Sequence, residues 1–522
     1  MIENAIDQNP PAPSEENTHF ATGHLLVGMR SRTVSSTLVT GIAQAAQLVL
    51  NLGSTVVLAR LLAPEDFGLV AMVSTIIGFL RIFGDAGLST ATVQREGITH
   101  AQVSNLFWAN VAVGGIATLI LVVSAPGVAW LFHEPRLVGI TLALAVTFLC
   151  ASLTVQHLAL LKRQMRFKAV SFIQVGAIGA GCLVGVVLAW AGFGYWSLVW
   201  MQLTSSIVAL VLTWTVSRWR PQLPVRDSGT SSLLSFGANL SVSSLLWSLA
   251  RGSDGLLIGR FFGSEALGLY SRAGALLYRP IEQAMTPLEA VFVPTLSRLQ
   301  EQPERYRRIV FQVYDTIAVG ILPFSAMLLA LAHPLTHVVL GAKWEGAAPI
   351  LAAFSLVALY TPMIAVAGWL LASQGRGRDY LVLSCLTSSI TVLAFVVGLP
   401  FGPIGVAMAF STSCVFVQLP ITYWIAGRNQ LVTTKDLWAR FLAQAPLWGA
   451  VFGPTWLLRQ FVADWSPLAQ LGVCVPAGLV AALALVCIYS PSRRAVSSVL
   501  TVVRESMGQQ RVALTADQTF IR

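Results

Sequence analysis

The chain has 522 residues, 55% of them hydrophobic and only 11% charged, with 33 Lys and Arg against 23 Asp and Glu for a formal charge of +10. A soluble domain carries about a quarter charged residues, whereas runs such as VGGIATLILVVSAPGVAWLF (113–132) and PAGLVAALALVCIY (476–489) suit a bilayer core, which takes ~20 apolar residues to cross. The composition excludes a soluble enzyme and points to an all-α, multi-pass membrane protein.

Residues 1–35 are polar and acidic, with PPAPSEEN at 10–17, and lack the charged-then-apolar order and small-residue cleavage site of a signal peptide. They read as a disordered cytoplasmic tail. Apolar periodicity then places fourteen helical spans at about 36–59, 67–90, 105–131, 138–160, 170–191, 195–217, 232–258, 267–297, 308–332, 347–372, 379–399, 403–426, 438–458 and 466–489. The first, second, seventh and eighth spans are the least apolar. The remaining 491–522 is a basic cytoplasmic tail, in which RRAVSSVLTVVRESM (493–507) suits a basic amphipathic helix on the inner leaflet.

Basic residues set the orientation. With the N-terminus inside, Arg60, Arg136, Arg260, Lys343 and Arg459 fall outside, Arg81, Arg251, Arg272, Arg279 and Arg440 fall within spans, and the other 23 of the 33 Lys and Arg lie on the cytoplasmic side. Both termini are therefore expected inside. The positive charge is a topology signal that favours anionic membrane lipids as neighbours rather than nucleic acid. The longest outer segment, HPLTHVVLGAKWEG (333–346), is too short for a periplasmic domain, and the six cysteines, all within apolar segments, read as small core residues.

LARLLAPEDFGLV (58–70) and IGRFFGSEALGLY (258–270) align at an offset of 200, with Arg60 on Arg260, Glu65 on Glu265 and Gly68-Leu69 on Gly268-Leu269. The two loops are six spans apart, so both face the same side. GFG (192–194) and PFG (400–402) make a weaker second match. The pattern predicts two parallel, pseudo-symmetric six-helix lobes, 36–230 and 231–430, with two further spans at 431–490. Parallel repeats of this kind are a transporter signature, with the substrate path at the interface of the repeats.

Charges within the spans mark candidate sites, because a charge at the bilayer centre costs at least ~2.5–3.5 kcal/mol. Arg81 and Asp85 share span 2; Arg251 and Asp254 share span 7; Arg272, Arg279 and Glu282 lie in span 8, with Glu289, Asp315 and Arg440 nearer inner ends. The pairs Arg81–Asp85 and Arg251–Asp254 read equally as structural ion pairs or as groups lining water. Arg272 and Arg279, seven apart and so on one helix face, suit a phosphate or pyrophosphate held through forked hydrogen bonds. Asp85, Asp254 and Glu282 are candidates for binding a coupling H⁺ or Na⁺. His333 and His337 have no evident third metal ligand, His157 reads as a bundle residue, and GRGRDY (375–380) lacks nucleotide-loop spacing, so no metal site, cofactor or ATPase is expected.

The stretch STVVLARLLAPEDFGLVAMVSTIIGFLRIFGDAGLSTATVQREGITHAQVSNLFWANV (54–111) resembles the N-terminal signature of the polysaccharide transporter family, the Wzx-type oligosaccharide flippases, and in particular its colanic-acid-exporter branch. QHLALLKRQMRFKAV (156–170), LLIGRFFGSEALGLYSRAGAL (256–276) and VVLGAKWEGAAPIL (338–351) extend the likeness. It implies a bacterial inner-membrane protein of the multidrug/oligosaccharidyl-lipid/polysaccharide superfamily, which flips undecaprenyl-pyrophosphate-linked sugar repeats by alternating access. It also implies cationic cavity contacts, for which Arg81, Arg251, Arg272 and Arg279 are the available positions, and polysaccharide polymerase or export machinery as partners. A cation-coupled drug exporter on the same fold is the alternative, and a membrane glycan polymerase or ligase, which needs a sizeable outer loop, is a more distant one.

Overall fold

A computed structural model describes residues 29–85, 89, 92–93, 98–225, 231–428, 431–490 and 492–493. The expected N-terminal tail up to residue 28 and the basic tail from 494, with most of its proposed amphipathic helix, lie outside the described residues. There are no β-strands among those described. The α-helices are α1 (Met29–Leu61), α2 (Pro64–Asp85), α3 (His100–Phe132), α4 (Leu137–Arg163), α5 (Phe167–Trp190), α6 (Trp196–Ser217), α7 (Ser231–Arg298), α8 (Pro303–Val339), α9 (Ala347–Ser373), α10 (Gly377–Gly398), α11 (Gly402–Ser413), α12 (Leu419–Gly427), α13 (Thr434–Phe461) and α14 (Pro467–Ile488).

Two features convert these helices into spans. First, α7 breaks at Gly263, whose φ of 83° and ψ of −174° are open only to glycine, so 231–262 and 264–298 are two membrane segments joined by one residue rather than by the longer loop expected. Secondly, α11 and α12 form one segment through a π-helical turn, Cys414–Gln418, just before Pro420, a residue that supplies no N–H to the helical ladder. Fourteen segments result among the described residues. Among the described residues nine helical stretches are long and apolar enough to cross a membrane, one of them being Gly377–Gly427 with two segments. The rest, α2, both segments of α7 and α13, carry the intramembrane charges that lower their hydropathy.

Helix starts follow local chemistry. Thr99 and Thr433 close capping boxes with Gln102 and Asp436, and Ser466 caps α14 ahead of Pro467. The duplication is visible in the backbone as well. The α4–α5 turn places Met165 at φ 54° and Arg166 at φ −79°, ψ 53°. The α9–α10 turn repeats it, with Gly375 at φ 67° and Arg376 at φ −83°, ψ 53°.

The chain forms two compact units, Met1–Leu62 with Met72–Gly252, and Ala63–Ala71 with Ser253–Arg522. In the first, α5 meets α6 along Gly181 and Gly185, where Met201 and Ser205 occupy the space a Cβ would need. The second includes α13 and α14, which pack on α8 through Ala326, Leu447, Val451 and Ala482. Here Arg440 of α13 donates to Asp315 of α8 at 2.8 Å, and the guanidinium lies 4.5 Å from the Phe311 ring centre. Two charges that the sequence left unassigned are thus partners. Arg440→Leu should destabilise the protein by about 3 kcal/mol, because it strands a buried carboxylate. Arg440→Leu with Asp315→Leu should recover most of that loss in thermal unfolding in detergent.

All six cysteines are free thiols. Cys150, Cys414 and Cys474 are buried as expected, but Cys385 and Cys487 are exposed, on helix faces that the repeat pattern did not distinguish.

Candidate functional site

The second segment of α7 starts at Ser264 and carries Arg272, Arg279 and Glu282. Its first turns lie against the start of α2, which belongs to the same compact unit. The Gly68 Cα sits on the Ser264 carbonyl, and the Gly268 Cα sits on the Pro64 carbonyl, so the two repeat motifs contact each other through equivalent positions. That crossing carries Phe67 into the second unit. Phe67 packs edge-on against the fully buried Trp344, with ring centres 5.2 Å apart, and the Arg272 guanidinium lies 4.9 Å from the Phe67 ring centre. Tyr270 and Tyr278 meet Phe354 of α9 at 5.0 and 6.0 Å.

Arg272 is therefore oriented by an aromatic face rather than by an acid. Its side chain is half-buried, yet its Nε is buried without a hydrogen-bond partner. Among the described residues neither Arg272 nor Arg279 forms an ion pair. The two are close enough to interact electrostatically. Arg279 and Glu282 are exposed. In a membrane segment, exposed ions of this kind belong against water, since hydrocarbon charges them several kcal/mol. Guanidinium groups of one face, one with an unbonded Nε, are suited to phosphate oxygens, which accept the fork of donors that a single point charge does not offer.

The other expected residues divide. Asp254 lies at the start of the second unit, where its Oδ1 accepts the Gly255 N–H at 2.7 Å, beside Tyr270. Arg81, Asp85 and Arg251 sit on helical backbone in α2 and α7, but their side chains lie outside the described residues. His333 is bonded to Glu345 at 3.2 Å, and no group of three or more metal-type ligands occurs among the described residues. Sequence reasoning missed Phe67 and Trp344, and it missed a buried polar network at the π-helical turn. There Gln418 accepts from Tyr360 at 3.0 Å and donates to Thr391 and Ser413 at 3.2 Å. The Gln-Leu-Pro order at 418–420 was the one local signal for that turn.

Residues 57–349 match the family described as polysaccharide biosynthesis protein. The chain belongs to this family. It is similar to the Succinoglycan biosynthesis transport protein ExoT of Rhizobium meliloti (strain 1021), 28% identical over 300 residues, covering 58% of this chain and 61% of that protein. It is also similar to the Lipopolysaccharide biosynthesis protein WzxC of Escherichia coli (strain K12), 25% identical over 393 residues, 74% of this chain and 79% of that protein. The Teichuronic acid biosynthesis protein TuaB of Bacillus subtilis (strain 168) is 28% identical over 302 residues, 57% of this chain. The match spans only 61% and 62% of the ExoT and TuaB lengths.

The fold resembles that of the Lipid II flippase MurJ in an inward closed conformation, with a TM-score of 0.64 and 12% identity over 87% of this chain and 99% of that one. An inward-facing multidrug resistance MATE family transporter of the MOP superfamily gives 0.58 and 14% over 78% and 99%. The chain thus shares the all-helical fold of these transporters.

Proposed function

We propose that this protein is a flippase that moves undecaprenyl-pyrophosphate-linked oligosaccharide repeat units across the bacterial inner membrane, for exopolysaccharide or lipopolysaccharide biosynthesis, by alternating access. The observation that carries the reading is Arg272, a guanidinium held in a membrane segment on the face of Phe67, with no acid paired to it and an unbonded Nε. Arg279 follows on the same face. A half-buried cation in a membrane segment with no acid beside it is costly, and an anionic substrate offsets that cost whenever it is present. A pyrophosphate supplies the charge and the acceptor oxygens for both residues. The glycan hydroxyls need polar partners in place of water, and the polyprenyl tail can remain in lipid.

The work is transport rather than catalysis: no bond of the substrate changes, so no nucleophile, metal or cofactor is called for. Asp254, Asp85 and Glu282 are the candidates for taking up a coupling H⁺ or Na⁺. The distribution of basic residues supports an orientation with both termini in the cytoplasm. Polysaccharide polymerase or export proteins are the partners such a reading entails.

The test is leaflet assignment of a lipid-linked oligosaccharide in proteoliposomes. Wild-type protein should make the glycan accessible to an external probe, and Arg272→Ala and Arg279→Ala should each slow this at least tenfold. Flipping by both variants at the wild-type rate would remove the arginine site but leave the transporter. No flipping of matched glycans, together with efflux of soluble amphipathic cations from cells, would instead support the drug-exporter alternative.

A further inference from the structure

The segment that follows α6 is tied to the rest of the first unit by side chains of α3 and by the burial of Trp219. Arg218, at φ 55°, turns the chain out of α6, and residues 219–225 then run without regular secondary structure. Asn105 of α3 donates to the Val225 carbonyl at 2.7 Å and accepts the Val225 N–H at 2.9 Å. Trp108 donates Nε1 to the Gln222 carbonyl at 2.8 Å, and the Gln222 N–H reaches Ser104 at 3.0 Å. These side chains, at 104, 105 and 108, share one face of α3. Trp219 forms the inner end of the strap and is almost wholly buried.

Beneath Trp219 lies His157, which is fully buried in α4. Its imidazole stacks on Trp214 of α6 at 4.6 Å and meets Trp219 edge-on at 4.9 Å and Phe107 of α3 at 5.7 Å. Neither ring nitrogen has a hydrogen-bond partner in bonding geometry. The Leu153 and Trp219 carbonyls on that side are already engaged by Trp214 Nε1 and Arg220. Among the described residues the charged or titratable groups around the ring are His100 on α3, Lys162 and Arg163 on α4, and Arg218 and Arg220 on the strap; α6 has none, and no Asp or Glu occurs in α3, α4, α6 or 218–225. The Trp214 ring already carries Arg220, whose guanidinium is 5.3 Å from its centre.

We propose that His157 is the trigger of a proton-released latch, which holds residues 218–225 against α3 when the imidazole is neutral and frees them when it is protonated. A neutral imidazole is a flat, apolar-faced ring that fits among three aromatics. A protonated one places a new charge beside Arg220, shut off from solvent and with no acidic side chain beside it among the described residues. The strap is the movable wall of that box: beyond Trp219, which also packs on Ile98, Val103, Leu106 and Leu160, it is held by hydrogen bonds at its surface, whereas Phe107 and Trp214 are fixed in helices. Release adds 218–225, or about 26 Å at ~3.3 Å per residue, to the connection between α6 and α7. That connection, like the start of α7 up to Gly252, belongs to the first compact unit, so the latch sets how freely α6 and the start of α7 are linked within it. The inference stands apart from the substrate assignment, because it concerns the protein alone.

Hydrogen exchange on the full-length protein in detergent micelles tests it, corrected for the intrinsic pH dependence of exchange. At pH 7.5 the Gln222 and Val225 amides should be protected. At pH 5.5 their protection should fall at least tenfold, while amides of α3 and α4 keep theirs. His157→Phe, which retains the aromatic packing but binds no proton, should stay protected at both pH values. Asn105→Ala should be open at both. Unchanged wild-type protection at pH 5.5 would overturn the latch, and equal release in His157→Phe would overturn His157 as its trigger.

Discussion

Gly68→Val and Gly268→Val should each prevent stable folding of the second compact unit. Each glycine packs its Cα against a backbone carbonyl, Gly68 against Ser264 and Gly268 against Pro64, and in both cases an added Cβ would overlap atoms of the opposing main chain. A side chain in the way could rotate aside; a helical backbone cannot without moving its whole segment. The loss expected is at least ~3 kcal/mol, the upper end for overpacking, because the obstruction is main chain. Thermal unfolding in detergent and the yield of monodisperse protein would show it. Gly53 provides the control: it is helical with nothing within 4 Å of its would-be Cβ, so Gly53→Ala should stabilise by up to ~1 kcal/mol. A Gly68→Val protein that melts with the wild type would refute the crossing. The same replacements would also displace Phe67, one residue before Gly68, and with it the surface on which Arg272 rests.

Arg272→Met should separate stability from transport. If Arg272 is retained for substrate, its uncompensated guanidinium burdens the resting fold, and a methionine of similar length should raise stability by about 1–2 kcal/mol. Glycan flipping should fall by roughly 10- to 100-fold, since charge-assisted hydrogen bonds contribute ~1.5–3 kcal/mol. Arg272→Lys should lie between, preserving the charge but losing the planar fork and the stack on Phe67. A lower melting temperature with unimpaired flipping would assign Arg272 to the scaffold. The two measurements move in opposite directions only if the residue serves an anion that is absent from the resting state.

Much of this was legible in the residues themselves. The offset of 200 between 58–70 and 258–270 pointed to a duplication, and the seven-residue spacing of Arg272 and Arg279 put them on one face. Asp315 and Arg440 were visible as charges near span ends, but nothing local paired them, because 125 residues separate them. The same holds for Phe67, Trp344 and Arg272, which come from α2, the α8–α9 connection and α7. His157 shows the opposite failure. As a lone histidine in an apolar helix it signals only burial, and its meaning depends on a tryptophan of the strap that arrives from beyond α6.

The sequence by itself determined that the chain is an all-helical membrane protein, roughly where its segments lie, and that two of its loops repeat one motif. These properties follow from transfer free energies and helix caps, which act over one or two turns and add along the chain. Only the tertiary structure decided that the two repeat motifs touch glycine to carbonyl, that Arg272 is held by an aromatic ring instead of a carboxylate, and that Asp315 belongs to Arg440. Such pairings depend on side-chain shape and on contacts between distant segments, and many different partners are compatible with the same local pattern of apolar and charged residues.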